Sequence, residues 1–355
     1  MGVSRHTNEE FSKQMENLSV LFTGPDRVET QTIDDDIGQL RSRDVLVRTR
    51  YSLISAATEL ACLSGSQAWF PFPGTPGYAA VGEVLNVGAE IDAVAPGDIV
   101  HYWGGHKQFN LIDTSRPQSI CLKAPVDLPL ELAPFTRMAI IAMTSLRISN
   151  IELGDYVGAV GLGTVGNFAA QLARLQGGNV IGLDLSEGRV ERALACGIPH
   201  ALVGDGTSVA DQVREITGGQ GLSTLIEATG VPAALPPALP LVGRYGEVIL
   251  LGTPRGVFET DLTSSVLDYI HLHGHGNITF KGAHEWRYPV ARDPFVKHSM
   301  ERNSEIAMEL IRSGALKVAP LHTHTLSPDD AASAYRGLKT RKNEFIGVVF
   351  DWTGA

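Results

Sequence analysis

The sequence predicts an α/β protein in which a β-rich segment is joined to a doubly wound parallel sheet. Between about residues 18 and 125, short apolar runs such as 45–51 alternate with turn signals such as 73–77. Between 156 and 283, strand candidates alternate with helical patterns, which indicates parallel strands with helices on both faces. With 355 residues, of which 43% are hydrophobic, the chain is long enough for two domains.

The elements are expected in a definite order, without an internal repeat or a low-complexity segment. After the β-rich segment, the strand candidates are 156–160, 179–184, 200–203, 223–228, 246–252, 277–281 and Phe345–Asp351. The helix candidates are about 130–150, Glu187–Cys196, Val209–Thr217, 297–315 and Asp329–Leu338.

One glycine-rich run stands between a strand candidate and a helix candidate and reads G-x-G-x-x-G. It consists of Gly161, Leu162, Gly163, Thr164, Val165 and Gly166. Such glycines permit a tight turn, the close approach of a pyrophosphate and close packing of helix on strand. The helix that follows directs its free N–H groups and its positive dipole end at the phosphates. The run therefore predicts a dinucleotide site.

Asp184 ends the second strand of this part and indicates which dinucleotide is bound. A carboxylate at that place accepts hydrogen bonds from the ribose hydroxyls of NAD and repels a 2′-phosphate. We therefore predict NAD(H), with Leu185 in the same site. Two alternatives stay open: Asp184 could be a solvated residue, and Arg189, five positions further on, could face the phosphate of NADP(H).

Composition excludes several classes of function. The formal net charge is −10 and the cations are scattered, which disfavours nucleic acid and anionic membranes as partners. No apolar run approaches the roughly 18 residues of a spanning helix. Residues 1–17 are expected to be a flexible N-terminus, unlike a secretory signal. Cys62, Cys121 and Cys196 are too few for a disulfide framework, so the cytoplasm is the predicted location.

Several short segments carry a resemblance to a known family. They are Gly77–Val84, the Pro96–Val100 turn, the glycine run, Ala228–Gly230 and Leu251–Thr253. With them, nearly the whole chain resembles the medium-chain dehydrogenase/reductase superfamily. The resemblance implies a GroES-like catalytic domain over 18–147 and 287–355, and a Rossmann NAD-binding domain over 148–286. It also adds residues to the cofactor site, namely Ala228, Thr229, Gly230, Leu251, Gly252, Thr253 and Ala283.

The ligands that zinc members of this superfamily use are missing. Where those members carry a Cys after a strand like Tyr51–Ile54, this chain has Ser55, and where they carry Gly-His-Glu it has Gly77-Tyr78-Ala79. The expected second Cys is absent from Leu130–Ile140, and Cys121 alone lies between 97 and 130. Zinc needs three or four N, S or O ligands, so we predict neither a catalytic nor a structural zinc.

The histidine run His271-Leu272-His273-Gly274-His275 leaves one metal alternative open. Alternate residues of a strand share a face, so three histidines at this spacing could bind a metal if the segment were a strand. A solvated loop at a helix end is the preferred interpretation.

The segment Ser52–Glu59, with the approach Phe72–Tyr78, looks like a particular zinc-free branch of the superfamily. Its usual pattern is Ser-x-Ile-Ser-x-Gly-Thr-Glu, and here Ala57 stands at the Gly place, which implies a slightly different backbone. Members of that branch oxidise or reduce secondary alcohols on sugars, cyclitols or large ring systems. The resemblance implies no single substrate.

Without zinc, ordinary hydrogen-bond donors must polarise the reacting oxygen. Thr58 lies close to the hydroxyl that relays the proton in zinc members. Glu59 is a candidate to accept or return a proton, and Tyr78 has a donor hydroxyl at the place of the missing His ligand. The alternatives are a structural Glu59, paired with an Arg or a backbone amide, and a Tyr78 packed under the cleft.

Two further segments supply candidates for substrate binding. In the family, the segment from His101 to Lys107 forms a wall of the substrate pocket, and aromatic rings beside donors suit a polyhydroxylated ring. The candidates are Ser55, His101, Trp103, His106, Lys107 and Glu285. His284 could shuttle the proton because histidine changes its protonation near neutral pH, or it could be a solvated loop residue.

These observations predict a zinc-independent, NAD(H)-linked dehydrogenase acting on a secondary alcohol of a polar cyclic substrate such as a sugar or cyclitol derivative. One alternative is a quinone or enone reductase, whose zinc-free members usually prefer NADPH. Another is a nucleotide-binding structural or sensor protein without enzyme activity. Family members pair the edge strands of their nucleotide domains, here around 277–281 or 246–252, which predicts a homodimer.

Overall fold

The computed structural model describes residues 15–35, 37 and 40–355. The strands of this part are β1 Met15–Gly24, β2 Arg27–Asp35, β3 Asp44–Leu53, β4 Ala80–Val87, β5 Ile99–Tyr102, β6 Phe109–Asp113, β7 Cys121–Lys123, β8 Tyr156–Val160, β9 Asn179–Asp184, β10 His200–Val203, β11 Leu222–Glu227, β12 Val242–Leu250, β13 Thr279–Gly282, β14 His322–Leu326 and β15 Gly347–Asp351. The α-helices are α1 Ala56–Leu63, α2 Thr136–Ile148, α3 Thr164–Leu175, α4 Glu187–Ala195, α5 Ala210–Ile216, α6 Leu235–Ala238, α7 Asp268–His271, α8 Met300–Arg312 and α9 Ala331–Thr340.

The chain divides into two compact units. The first unit comprises the described residues up to Pro134 together with His324–Thr340 and Val348–Ala355, and the second comprises Phe135–Thr323 and Arg341–Gly347. The predicted nucleotide domain, 148–286, lies within the second unit. Within that unit, α2 packs on both α3 and α8.

The second unit contains the predicted parallel sheet, in the strand order β10-β9-β8-β11-β12-β13. All its neighbouring strands are parallel, and the direction of strand order changes at β8, where the glycine run begins. Its interior is apolar, with Ile181, Leu225 and Val248 fully buried. The α/β fold with a doubly wound sheet is confirmed.

The first unit is β-rich, also as predicted. Its main sheet has the order β14-β15-β3-β4-β5-β7, and β6 pairs with β3. Alternate residues of the long central strand, Val45 and Val47, point into an apolar core with Val84 and Val100. This sheet positions α1 directly after β3.

A separate antiparallel hairpin, β1–β2, opens the described chain. Of the predicted flexible N-terminus, residues 1–14 lie outside the described residues. Residues 15–17 instead belong to β1, where the Asn17 side chain donates to Asp35 Oδ2 at 3.0 Å and to the Phe109 carbonyl at 2.9 Å. These bonds tie the strand to β2 and β6.

Serine hydroxyls begin two of the helices. Ser186 accepts from the Arg189 N–H at the start of α4, and Ser299 accepts from the Arg302 N–H at the start of α8. The cap at Ser299 explains why α8 begins at Met300 and not at the predicted 297. In the described part of the chain, no helix is both long and apolar enough to cross a membrane.

Candidate active site

The glycine run of the second unit forms the turn between β8 and α3, as predicted. Gly161 has φ +90°, a conformation that side chains other than glycine rarely adopt. A Cβ at Gly166 would overlap the carbonyl oxygen of Gly161, whereas a Cβ at Gly163 would meet nothing within 4 Å. Gly166 is therefore required for packing of the helix, and Gly163 leaves open space beside the start of α3, where a pyrophosphate needs to approach the backbone.

The loops after β11 and β12 pack against this turn. A Cβ at Gly161 would lie 2.7 Å from Thr229 Cγ2, and one at Gly252 would overlap the backbone nitrogen of Gly230. The N–H groups of Leu251 and Gly252 both donate to the Glu227 carbonyl at 2.8 Å. Thr253 packs against the same loops, and its carbonyl oxygen leaves no room for a Cβ at Gly230.

Two further residues lie in this region, Ala283, which was predicted, and Glu227, which was not. Ala283 is buried and its N–H donates to the Leu250 carbonyl at 2.9 Å, which places it directly after β13. Glu227, which sequence reasoning missed, is buried and accepts from the N–H of Thr229 at 2.7 Å. It also accepts from the Thr229 hydroxyl, and so it fixes the loop that starts at Ala228.

Asp184 lies at the carboxyl end of β9 and is 9% exposed. Its Oδ2 accepts from the Leu162 N–H at 2.7 Å and its Oδ1 accepts from the Ser186 N–H at 2.8 Å. Arg189 Nη1 lies 3.4 Å from Oδ2, a long ion pair that leaves the guanidinium beside the carboxylate. Leu185 is 77% exposed. The carboxylate thus holds the glycine turn in place. Arg189, the residue that could face the phosphate of NADP(H), lies beside it in the same site.

These observations test whether the second unit can hold a dinucleotide, and the residues fit. The turn offers open space at Gly163 in front of a helix N-terminus, and a carboxylate stands at the end of the neighbouring strand. The loops after β8, β11 and β12 come together at the carboxyl ends of adjacent strands, where open α/β sheets bind their ligands.

In the first unit, Glu59 lies at the centre of a buried hydrogen-bonded group. Its Oε1 accepts from the Ser55 N–H at 2.7 Å, and its Oε2 lies 3.0 Å from His106 Nε2 and accepts from the Tyr335 hydroxyl at 2.5 Å. Glu59 is 2% exposed and His106 is fully buried. The predicted proton acceptor is therefore a buried carboxylate, and each of its two oxygens already has a hydrogen-bond partner.

The group continues beyond the histidine. His106 Nδ1 lies 2.8 Å from the Ser52 hydroxyl oxygen, which accepts from Trp352 Nε1 at 2.9 Å. Burial, followed by the charge of Glu59, raises the pKa of Tyr335 well above its ordinary value, so Tyr335 stays a donor. We refer to Ser52, Glu59, His106, Tyr335 and Trp352 as the Glu59 cluster.

Ser55 and Tyr78 form a hydroxyl pair beside the Glu59 cluster. Their side-chain oxygens are hydrogen-bonded to one another, and Tyr78 is half-buried. Ser55 precedes α1 and its backbone N–H is the one that Glu59 holds. Thr58 lies half-buried in the first turn of α1. The predicted residues of this segment therefore come together, with the hydroxyl pair more accessible than the carboxylate.

The remaining candidates of the first unit differ in their surroundings. His101 is fully buried in β5, and Trp103 follows that strand half-buried. Lys107 forms a 2.7 Å ion pair with Asp35 Oδ2. A lysine committed to a neighbouring carboxylate is less free to bind substrate than the sequence indicates.

The segment after β13 supplies the candidates of the second unit. His284 is exposed, and its Nδ1 accepts from the Trp286 N–H at 3.4 Å at the start of a 3-10 turn. Glu285 forms an ion pair with Arg137, which is buried in α2. Sequence reasoning missed Arg137. A charged residue within an apolar helix pattern indicates a buried ion-pair partner, and this pattern could have identified it.

The residues at the zinc-ligand places do not fit that metal. Ser55 and Tyr78 offer neutral hydroxyls, and no group of three His, Cys, Asp or Glu residues in the described chain could hold a metal ion. His271 ends α7, while His273 and His275 lie in a 3-10 turn. The three histidines therefore do not share a strand face, and the alternative that depended on a strand is wrong.

Comparisons with known proteins bear on the fold and on the class of protein. The family model described as zinc-binding dehydrogenase matches residues 164–291. The D-guloside 3-dehydrogenase of Escherichia coli (strain K12) is 32% identical over 164 residues, which cover 46% of this chain and 47% of the relative. The chain thus spans about half the length of the guloside dehydrogenases that it matches.

Longer matches are more distant. The L-threonine 3-dehydrogenase of Shewanella frigidimarina (strain NCIMB 400) is 24% identical over 351 residues, covering 90% of this chain and 95% of the relative. Among solved structures, galactitol-1-phosphate dehydrogenase from Escherichia coli matches with a TM-score of 0.79 and 18% identity, covering 94% of this chain and 99% of that one. At that identity the structural match supports the fold.

The glycine turn, the two sheets and these matches agree, and they support the predicted resemblance to the medium-chain dehydrogenase/reductase superfamily. The relatives are named as dehydrogenases, which supports the predicted class, an oxidoreductase acting on alcohol groups.

Proposed function

We propose that this protein is a zinc-independent, NAD(H)-dependent dehydrogenase that interconverts a secondary alcohol and a ketone on a polar cyclic substrate, a sugar or cyclitol derivative. The observation that carries the proposal is the hydrogen-bonded hydroxyl pair Ser55–Tyr78. It stands at the two places where the zinc members of the superfamily have metal ligands. Two neutral hydroxyls suit polarisation of an oxygen by hydrogen bonding.

The chemistry that NAD(H) supplies when bound is the exchange of a hydride with the carbinol or carbonyl carbon. The glycine turn and Asp184 would hold the dinucleotide. In the proposed reaction, the Tyr78 hydroxyl donates to the substrate oxygen while Ser55 Oγ donates to Tyr78, which strengthens the donor. In the oxidation direction, the substrate hydroxyl passes its proton to Tyr78 while Tyr78 passes its own to Ser55, and the pair returns to neutral by releasing one proton to water.

Glu59 has a different part in this proposal from the one the sequence indicates. Because both of its oxygens are occupied, it acts on Ser55 by holding the backbone N–H that starts α1. Glu59 is then a positioning residue and not the general base. Thr58, half-buried on the same turn of α1, remains a candidate to extend the proton route.

The substrate class rests on two kinds of support. Relatives include a D-guloside 3-dehydrogenase and a galactitol-1-phosphate dehydrogenase, which by name act on a sugar derivative and on a polyol derivative. In this chain, Trp103 offers an aromatic ring and Tyr78 a hydroxyl, a combination that suits a ring with one apolar face and several hydroxyls.

The test is turnover by EDTA-treated protein across sugars, sugar acids and cyclitols with NAD⁺, and across quinones and enones with NADH. The Tyr78→Phe variant removes the donor and should lower kcat by about 10²–10³-fold, as expected for one oxyanion-stabilising donor. NADH affinity should be unchanged. The Tyr245→Phe variant, which alters an exposed tyrosine of the second unit, is the matched control.

Three results would contradict the proposal. Loss of turnover after EDTA with recovery on added zinc would restore a metal mechanism. Activity confined to quinones or enones would assign the protein to the reductase class. NADH binding without turnover of any compound would favour a nucleotide-binding protein that is not an enzyme.

A further inference from the structure

A pocket at the edge of the parallel sheet belongs to none of the predicted sites. It has a volume of about 540 Å³ and lies entirely within the second unit. Its lining includes Arg147, Ile148, Phe280, Lys281, Arg287 and Tyr288. The end of α2, the edge strand β13 and the turn after β13 thus bring three cations and a phenol around one space. We call it the edge pocket.

The positive charge of Lys281 is compensated. Lys281 Nζ lies 2.5 Å from Glu247 Oε2 and donates to the Ile148 carbonyl at 3.0 Å. The other oxygen of Glu247 accepts from the Asn150 N–H at 2.7 Å and from the Thr224 hydroxyl at 3.0 Å. Glu247 therefore neutralises Lys281, and it forms no ion pair with Arg147 or Arg287 within the described residues.

The two arginines of the edge pocket have no such partner. Within residues 15–35, 37 and 40–355, neither Arg147 nor Arg287 forms an ion pair. Arg147 Nη2 contacts Asn303 Oδ1 at 3.4 Å, a neutral group, and its Nε is buried without a hydrogen-bond partner. The nearby Glu285 is already paired with Arg137.

Arg302 adds to the positive charge around Arg147. Arg302 Nη1 lies 3.1 Å from His298 Nδ1, and the His298 ring contacts that of Tyr288 at 5.5 Å between centroids. Burial and then the charge of Arg302 lower the pKa of Arg147. Burial, Arg147 and Arg302 lower the pKa of His298 to about 4. Uncompensated cations that depress one another are stabilised by an anion.

We propose that the edge pocket binds a small molecule bearing a phosphate group. Arg147 and Arg287 present guanidinium donors to the phosphate oxygens, which matches the planar geometry in which arginine binds phosphate. Tyr288 supplies a neutral donor at the rim. The pocket volume lies within the range of small-molecule sites, so it has room for an organic portion beside the phosphate.

The site is distinct from the glycine turn, which is the other place in the second unit suited to phosphate. The turn uses backbone N–H groups after β8, whereas the edge pocket uses side chains beside β13, at the far end of the sheet order from β9. Saturation with NADH should therefore leave phosphate bound in the edge pocket.

The experiment is a calorimetric titration of the full chain with inorganic phosphate at constant ionic strength, in the presence of saturating NADH. We expect one phosphate bound per chain. The Arg287→Gln and Arg147→Gln variants should each raise its Kd by about tenfold or more, since each removes a charge-assisted contact. The matched control is Arg214→Gln, which removes the same charge from an exposed arginine that pairs with Asp211. Thermal unfolding of each variant without phosphate checks that it folds.

Each contrary outcome overturns the proposal. Equal Kd values for Arg287→Gln and Arg214→Gln would show that phosphate binds elsewhere. Displacement of phosphate by NADH would assign the binding to the glycine turn. Equal affinity for acetate would mean that the site recognises charge alone. If phosphate does not bind and Arg287→Gln dissociates a dimer, the occupant is an acidic side chain of a second copy.

Discussion

Glu59 holds together parts of the first unit that are far apart in sequence. It receives hydrogen bonds from the Ser55 backbone, from His106 and from Tyr335, a residue 276 positions away. Because Glu59 is 2% exposed, water cannot replace the carboxylate as hydrogen-bond acceptor for these donors when Glu59 is substituted. The geometry of Ser55, and with it the Ser55–Tyr78 hydroxyl pair, depends on this carboxylate.

Replacing Glu59 by Gln should therefore destabilise the protein. An amide presents an NH₂ group to donors that need an acceptor, and one unsatisfied buried group costs about 1–3 kcal/mol in the free energy of unfolding. Urea unfolding measures this change. Glu90→Gln, at an exposed glutamate, is the matched control. Equal stability of the two variants would mean that the Glu59 cluster is not a structural centre.

The sequence predicts part of this cluster and not the rest, for a physical reason. Glu59 and His106 lie in segments that resemble site segments of the family, so they could be singled out. Tyr335 and Trp352 meet them only through tertiary folding, and a tyrosine in a helix pattern or a tryptophan after a strand indicates no more than core packing. The burial of Glu59 could not be predicted either, because a single glutamate in the sequence does not show whether its side chain is exposed.

Asp184 and Arg189 carry the prediction about cofactor preference. Asp184 also accepts from the Leu162 N–H, so its replacement weakens the glycine turn for both dinucleotides, and the ratio of affinities is the useful quantity. With Asp184→Asn, we expect the preference for NADH over NADPH to fall by about tenfold, because repulsion of a 2′-phosphate is removed. Fluorescence titration with each dinucleotide measures the ratio.

Arg189→Ala separates the two residues. If Arg189 only accompanies Asp184, the NADH affinity should change little and NADPH should stay the weaker ligand. Tighter binding of NADPH than NADH by the unaltered protein, lost in Arg189→Ala, would instead make Arg189 the phosphate partner and would contradict the NAD(H) prediction.

At the scale of elements, the sequence predicts the regular strands well, but it does not predict the irregular segments. The strands β8, β9 and β10 have the predicted bounds because buried parallel strands give compact apolar runs between turns. β12 begins at Val242, four residues before its predicted start, because Gly243 and Arg244 hide the strand pattern. The segment between β12 and β13 forms a π-helical turn and the short α7, for which no periodicity exists at that length.

The packing of α2 against α8 predicts how stability depends on pH. His298 lies just before α8 and faces Arg147 of α2, Arg302 of α8, Lys297 and the Tyr288 ring. Its pKa is lowered to about 4, below the value near 6.5 of an unfolded chain. A lowered pKa gives stability that is present above pH 6.5 and is lost as the pH falls through about 4.

Urea unfolding at pH 7 and pH 5 tests this dependence. We expect the free energy of unfolding to be smaller at pH 5, and His298→Gln to reduce the difference between the two pH values. His200→Gln, at an exposed histidine, is the control and should leave the difference unchanged. If both variants behave alike, charging of His298 is not the cause.

At the scale of the whole molecule, the cysteines report on the two units separately. Cys121 lies in the first unit and Cys196 in the second. Burial raises the pKa of Cys121 to about 12 and that of Cys196 to about 11. The stability linked to these thiols is present below their unfolded pKa, near 8.5, and is lost as the pH rises towards the folded values.

Alkylation with iodoacetamide at pH 8.5 therefore distinguishes folded from unfolded units. Cys196 should react at least about tenfold more slowly in the native protein than in urea, because little thiolate forms while it is buried. Peptide mass spectrometry after graded urea identifies which thiol reacts first and so which unit opens first. Equal rates for Cys196 in native and unfolded protein would contradict its burial.

The fold also limits how two copies can associate. Of the two segments expected at a sheet edge, 246–252 is excluded, since β12 lies between β11 and β13. β13 is the edge strand and carries one charged residue, Lys281, so its outer side is free to pair with a second copy.

We predict a dimer at micromolar concentration by light scattering. A lysine at the exposed Thr279 of β13 should shift the protein to monomer by placing like charges across the pair, whereas Val203→Lys on the opposite edge strand, β10, should leave the dimer intact. A monomeric unaltered protein, or equal dissociation by both variants, would mean that β13 is not the interface.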